Sequence, residues 1–456
     1  MDFFKKIEQV AAAFKKTKKD ETVRVISHLD ADGICASSIM IKTLERLNRK
    51  YSVSIIHQLS EDSLKELSKE SYNLYIFTDL GSGQIPLIKK YLKGKTIFVL
   101  DHHKPSEEES DDIVHVNPNF FGIEGSKEIS GAGVVFLFCK SIDEKNQDLA
   151  HLAVIGAIGD VQEDRGFKGI NRDILDIAVK NGKIKIEKNL RLFGITTRPL
   201  HKVLEYSSDP YIPGISGSES NAIQFLHKLG IEPKEGNKWK TFNDLTEDEK
   251  KKLISAIILE RIEEENPEDV FGNIYLLTEE ENPSISEARE FSTLLNSCGR
   301  MDKASLGIGV CLNDKKMKEK AMRNLSDYKK EISKALRWYE ENKKSKDIIE
   351  EKNFLIINAK SDVLGTVIGT LASILSKSNG IIDKYILSLA RTDAKTTKVS
   401  LRYSGKKDVN LKELISKVTA KVNGEAGGHK SAAGALIETK DEESFIKEAE
   451  KLFREL

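Results

Sequence analysis

Four short apolar runs in the first 160 residues each stop abruptly at carboxylate or imidazole, and this recurrence constrains the fold more than any other feature. Val23-Arg24-Val25-Ile26-Ser27 runs into His28-Leu29-Asp30-Ala31-Asp32-Gly33. Asn73-Leu74-Tyr75-Ile76-Phe77-Thr78 stops at Asp79, and Lys95-Thr96-Ile97-Phe98-Val99-Leu100 stops at Asp101-His102-His103. Leu152-Ala153-Val154-Ile155-Gly156-Ala157 leads to Gly159-Asp160. Such runs, alternating with helical stretches, read as buried strands of a doubly wound parallel sheet. Ligands of these sheets bind beyond the carboxyl ends of the strands, so the four clusters are expected to converge there. Gathered carboxylates repel one another unless a cation holds them. Hard divalent ions, Mn2+ or Mg2+, take carboxylate oxygen and tolerate imidazole. The set reads as a two-metal hydrolytic centre. One Asp at a strand end is equally well a turn or a helix cap; the repetition carries the reading.

At 456 residues the chain is long enough for two or three domains. Lys plus Arg equals Asp plus Glu at 72 each, so net charge gives no sign of a polyanionic partner, although a basic groove needs only local excess. Cys35, Cys139, Cys298 and Cys311 are far apart and mostly inside apolar runs, as reduced core residues are. No apolar run reaches membrane-spanning length, and residues 1–20 form an amphipathic Lys-rich helix without a signal-peptide core. No membrane partner is expected, and the expected location is cytoplasmic.

Three regions follow from the pattern. Residues 1–205 form the α/β domain, with a helix from Ile34 to Asn48 whose first-turn N–H groups face the ligand side. It also holds a buried helix over 130–142 that begins with small residues. Turn-rich sequence over 207–218 opens a mixed insertion, 206–345. Leu325, Tyr328, Ile332, Leu336 and Tyr339 predict one long amphipathic helix at its end, suited to bridging two lobes. Residues 346–456 form a second, smaller α/β unit with strands at 354–358, 385–390 and 399–403. It ends in Gly427-Gly428-His429-Lys430-Ser431-Ala432-Ala433-Gly434, where glycines let backbone approach phosphate oxygens.

In this order, and followed by the terminal Gly-Gly-His-x-x-Ala-Ala-Gly, the clusters resemble the DHH phosphoesterase superfamily. Within it they resemble the RecJ-like single-strand exonucleases, and in overall pattern the archaeal, GINS-associated ones. The resemblance spans nearly the whole chain. It implies an N-terminal parallel-sheet DHH domain, an inserted region and a C-terminal DHH-associated domain. It implies metal ligands at His28, Asp30, Asp32, Asp79, His102 and Asp160. Asp79 would be shared, with His28 and Asp30 leaning toward one ion and Asp32, His102 and Asp160 toward the other. His103 would face the scissile phosphate and Asp101 would hold the histidine pair.

Asn296-Ser297-Cys298-Gly299-Arg300 is similar to the Asn-Ala-x-Gly-Arg element of RecJ proteins, with Ser in the second place, and there Arg300 would meet phosphate. Arg402, Gly427, Gly428 and His429 match the substrate surface of the DHH-associated domain. Arg391 is a secondary candidate. The implied activity is a metal-dependent exonuclease on single-stranded DNA or RNA, acting in replication or repair. The alternatives are a hydrolase of short oligonucleotides or cyclic dinucleotides, and a replisome scaffold that binds GINS or replicative helicase components.

Overall fold

The computed structural model describes residues 2–456 except 107–111, 164–165, 208–209, 265, 379, 406, 408, 423 and 429. Two compact units are present, Met1–Met322 and Arg323–Leu456. The first opens with α1 (Phe3–Lys15), β1 (Val23–His28), α2 (Ala31–Arg46), β2 (Tyr51–Ile56) and α3 (Glu61–Ser68). β3 (Leu74–Thr78), α4 (Ile85–Tyr91), β4 (Thr96–Leu100) and β5 (Val114–Val116) complete a five-stranded sheet. Its order is β2-β1-β3-β4-β5, parallel throughout. Ser27 is level with Thr78, and Thr78 with Leu100. This register makes Asp79 and Asp101 leave neighbouring strands at one height, beside the end of β1.

The three helices that follow are α5 (Gly131–Ile142), α6 (Ala150–Gly159) and α7 (Gly169–Lys180). The 152–157 run, expected as a strand, is therefore helical, and Asp160 caps a helix instead of ending a strand. A six-residue run buried on all sides has no periodicity to distinguish the two states. Here Gly156, Ala157 and Gly159 allow a helix to lie close against α2 and α5. Among the described residues, no helix is long and apolar enough to cross a membrane.

β6 (Ile184–Leu190) pairs antiparallel with β9 (Phe271–Leu277). Between them lie α8 (Leu200–Glu205), α9 (Glu219–Lys228), the short hairpin β7 (Lys234–Glu235) and β8 (Lys238–Trp239), and α10 (Glu247–Glu260). This segment buries an apolar cluster of its own, including Leu204, Ile212, Leu226, Leu253 and Ile257. The chain then returns to the first sheet's helices: α11 (Ala288–Arg300) packs on α2 and α6, and α12 (Ala304–Cys311) on α2. The expected long helix is α13 (Lys315–Asn342), and the division between the two units falls within it. The stretch 206–322 is thus part of the first compact unit.

The second unit contains β10 (Ile348–Glu350), β11 (Phe354–Asn358), α14 (Gly365–Leu375), β12 (Tyr385–Arg391) and β13 (Thr396–Tyr403). It ends with α15 (Leu411–Thr419), β14 (Gly424–Gly428), β15 (Ala433–Glu438) and α16 (Glu442–Glu455). The sheet order is β10-β11-β12-β13-β15-β14. Phe445, Ala449 and Phe453 of α16 join Leu411, Ile415 and the strands in one apolar core.

Candidate metal centre

Asp79 sits at the middle of the carboxyl edge. It follows β3 with φ +59°, a left-handed conformation uncommon for a residue with a side chain, and its N–H donates to Leu100 O at 3.0 Å. The side chain is 1% exposed, and neither carboxylate oxygen accepts a well-aligned hydrogen bond. Oδ1 lies 3.3 Å from His102 Nε2 and Oδ2 lies 3.8 Å from His28 Nδ1. A buried carboxylate in that state is costly unless something positive reaches it.

The residues around it fall into two groups. On one side, His28 Nδ1 is 2.8 Å from Asp30 Oδ2. Asp30 caps α2 by accepting from Gly33 N–H at 3.0 Å. On the other side, Asp32 lies in the first turn of α2, fully buried. Its carboxylate accepts from Gly131 N–H at 2.6 Å and Ala132 N–H at 3.0 Å, the first-turn donors of α5. Asp30 and Asp32 are thus a cap and a helical residue, not neighbours on extended chain, and that is why their carboxylates diverge. The first turn of α2 is also not an open anion site. Asn296 Oδ1 takes the Ala31 N–H at 3.0 Å, and Asp30 takes that of Gly33.

His102 faces the second group. Its Nδ1 is 2.6 Å from Gly125 O; a carbonyl only accepts, so Nδ1 carries a proton and Nε2 is turned to the carboxylates. Nε2 is 3.2 Å from Asp160 Oδ2 and 3.9 Å from Asp32 Oδ2. Asp101 is fully buried and its bonds run elsewhere. Its Oδ1 receives His103 Nδ1 at 2.8 Å and the N–H groups of His102 and His103 at 2.8 and 3.2 Å. Its Oδ2 receives Ser82 N–H at 2.9 Å. His103 is a third exposed beside it. Asn117 Nδ2 donates to Ser82 Oγ and His103 O, both at 2.8 Å, and fixes the loop.

The electrostatics follow from this arrangement. Burial, then the charges of Asp32 and Asp30, push Asp79 well above the usual carboxylate range. Burial and Asp32 push Asp160 up as well. Asp32 is raised chiefly by burial, with His102 opposing. Burial also works against ionising Asp30 and Asp101, but their histidine partners and hydrogen bonds prevail and hold both low. His102 is carried well above its ordinary value: burial opposes its charge, and Asp79 and Asp160 outweigh it. A cation arriving among these carboxylates would favour their charged forms.

The surroundings are cut to admit these carboxylates. A Cβ at Gly131 would lie 2.4 Å from Asp79 Oδ1, and one at Gly156 would lie 2.2 Å from Asp32 Oδ1. His28, Asp30 and Asp79 offer atoms within 4.8 Å of one another, and so do Asp32, His102 and Asp160, and Asp79, Asp101, His102 and His103. Oxygen and imidazole donors without thiolate suit Mn2+ or Mg2+. The residues present fit divalent metal binding.

Of the substrate candidates, Arg300 is the last residue of helix α11. Gly299 beside it lies so close to Leu29 O that a Cβ would overlap at 1.6 Å. Glycine is what lets α11 rest on the loop carrying Asp30. In the second unit, Arg402 donates to Ser373 Oγ at 2.9 Å, Leu401 O at 2.8 Å and Ala433 O at 3.3 Å. Gly428, with φ +110°, pairs with Ala433, and Gly427 pairs with Gly434. Arg402 therefore lies beside the glycine-rich hairpin. His429 lies outside the described residues. Arg391 is clamped by Glu442 at 2.9 and 3.0 Å and is consumed in packing. Reading the sequence missed Gly125, Gly131, Gly156 and Gln162; only Ser130-Gly131-Ala132-Gly133 hinted at a tightly packed helix start.

Comparison with known proteins agrees with this architecture. The DHH family N-terminal domain matches residues 22–158, the DHH-CID domain 192–274 and the DHHA1 domain 352–455. Uncharacterized protein MJ0831 of Methanocaldococcus jannaschii is 31% identical over 100% of this chain and 99% of its own length. The single-stranded-DNA-specific exonuclease RecJ of Bacillus subtilis is 27% identical over 31% of this chain, which spans only 19% of that exonuclease.

Among solved structures, RecJ of Thermus thermophilus in complex with Mn2+ superposes with a TM-score of 0.61 and 16% identity. The match covers 99% of this chain and 55% of that one. CDC45 from Entamoeba histolytica superposes at 0.66 and 11% identity, covering 99% and 98%. The chain belongs to the DHH phosphoesterase family. Within that family its architecture is RecJ-like.

Proposed function

We propose that this chain is a divalent-cation-dependent phosphodiesterase that removes nucleotides from an end of single-stranded DNA or RNA. Asp79 carries the reading: a carboxylate with both oxygens buried and poorly bonded, standing between two groups of oxygen and imidazole donors. His28, Asp30 and Asp79 would hold one Mn2+ or Mg2+, and Asp79, Asp32, His102 and Asp160 the other. When bound, such a pair supplies an activated water and neutralises charge on the phosphate.

The protein's own contribution is preorganisation. The α5 N–H donors aim Asp32, and Gly125 O aims His102, so neither must reorient as charge develops. Asp101 fixes the ring of His103, which would face the scissile phosphate. Arg300, on the helix that rests against Leu29, would capture a neighbouring phosphate, and Arg402 with Gly427 and Gly428 would bind the strand's backbone.

The test uses four strands, DNA and RNA labelled at the 5′ or the 3′ end, with Mn2+, with Mg2+ and with chelator. Metal-dependent ladders are expected, and their direction gives polarity. No cleavage of any long strand, with hydrolysis of dinucleotides instead, would replace this reading with the short-substrate one. A GINS-like partner, implied by the resemblance, is compatible with catalysis; failure of such proteins to bind the isolated chain would remove it.

A further inference from the structure

We propose that Gln162 is the positioning residue for one of the two ion sites, that of Asp32, His102 and Asp160, and does not serve the other. The inference rests on the metal centre proposed above. Gln162 is 5% exposed and follows Asp160 by two residues. Its Oε1 accepts from Asn171 Nδ2 at 2.7 Å, which fixes the amide's orientation. Asn171 is held in turn by its N–H on Glu128 O at 2.8 Å. Nε2 is thereby aimed back at the centre. It donates to Gly125 O at 3.0 Å and lies 3.5 Å from Asp160 Oδ2.

Gly125 O is also the acceptor for His102 Nδ1, so one carbonyl receives both donors and uses both lone pairs. Asp160 Oδ2 is the same oxygen that faces His102 Nε2. A single amide therefore braces two of the three side chains in that group. Its contacts are with Gly125 O, Asn171 Nδ2, Asp160 Oδ2 and, at 3.5 Å, His102 Nδ1.

The turn that carries Gln162 requires holding. Val161 has φ +58°, a left-handed conformation that a β-branched side chain disfavours. Beyond Gln162, Glu163 is gripped by Arg191 at 3.2 Å and by Arg289 at 2.9 and 2.6 Å. Residues 160–163 are thus pinned from two sides, and of these two pins the one at Gln162 reaches ligand atoms.

The experiment titrates metal-depleted full-length chain with Mn2+, without substrate, by calorimetry and by electron paramagnetic resonance of the free ion. Wild type is expected to take up two ions. Gln162→Met keeps most of the volume and loses the donors. It should leave one site unchanged and weaken the other about ten- to a hundredfold, the usual cost of losing a partner that orients a ligand. Its melting temperature in chelator should fall by several degrees, because the buried Asn171 amide loses its acceptor, while a folded protein still shows the split between the two sites. Two sites both within twofold of wild type, or both weakened alike, would overturn the proposal.

Asn171→Ser leaves Gln162 in place but removes the donor that orients it. It should give the same selective loss, and it is the deciding variant if Gln162→Met does not fold. Wild type that binds two Mn2+ yet cuts no strand would defeat the nuclease reading and leave this inference standing. Wild type that binds fewer than two would defeat the inference itself.

Discussion

Gly131→Ala puts a methyl group where the Asp79 carboxylate now lies. The new Cβ would be 2.4 Å from Oδ1 and 2.7 Å from the Asp79 Cβ, whereas ordinary contact begins near 3.4 Å. One of the two must retreat by about 1 Å. Asp79 has little room, being 1% exposed with its backbone tied to Leu100 O. Helix α5 cannot withdraw without stretching the Gly131 and Ala132 N–H bonds to Asp32. The displacement is therefore shared between Asp79 and Asp32, one from each ion group. A misplacement of that size costs about a hundredfold in rate, and the overpacking costs about 1–3 kcal/mol of stability. The assay is Mn2+ affinity together with kcat on a single-stranded substrate. Gly83→Ala serves as control, since a Cβ there meets nothing within 4 Å. A folded Gly131→Ala protein with Mn2+ affinity and kcat within twofold of wild type would refute the close-approach argument.

The remaining predictions concern charge. In chelator, Asp79, Asp160 and His102 bind protons more tightly folded than unfolded, so the stability they contribute declines as pH rises, above about 4 for the two carboxyls and above about 6.5 for His102. Asp30 and Asp101, held low, lose their contribution only as pH falls below about 4. Each proton involved is worth about 1.4 kcal/mol per pH unit. Melting curves from pH 5 to 8 should fall in chelator and recover with Mn2+, and Asp79→Asn should flatten the decline and abolish cleavage; a rising curve in chelator would contradict the assignment. Asp101→Asn removes the carboxylate that fixes the His103 ring and should lower kcat about ten- to a hundredfold with Mn2+ binding kept, as measured by parallel titration and turnover. Arg391→Met breaks two charge-assisted bonds to buried Glu442 and should cost about 2 kcal/mol in denaturant melts without changing KM.

The sheet and its carboxyl edge were legible because each strand is a compact run of β-branched and aromatic residues with an abrupt polar end. Parallel pairing then forces Asp79 and Asp101 to the same level. The 152–157 segment was not legible, since an apolar run buried on every side carries no period and its small residues reveal their role only once α2 and α5 are in place. Arg391 and Arg402 occupy similar places in the sequence, at the ends of adjacent strands. Only the fold separates them, by giving Arg391 the Glu442 carboxylate and Arg402 the edge of the glycine hairpin. Gln162 gave no signal at all. An amide two residues past an Asp is common, and its meaning lies in Gly125 and Asn171, which come from two other segments.

The bond from Ala31 N–H to Asn296 joins residues 265 positions apart, and Gly299 rests on Leu29 beside it. During synthesis the strands and carboxylates of the N-terminal sheet emerge first, at roughly 5–20 residues per second. The brace that shapes the turn between His28 and Asp32 then arrives about 13 to 50 seconds later. Until then the turn between His28 and Asp32 lacks its Asn296 and Gly299 contacts. The ligands braced by Gly125, Gly131 and Gln162 need only the first 171 residues, so the turn carrying Asp30 is the part of the site that waits for α11.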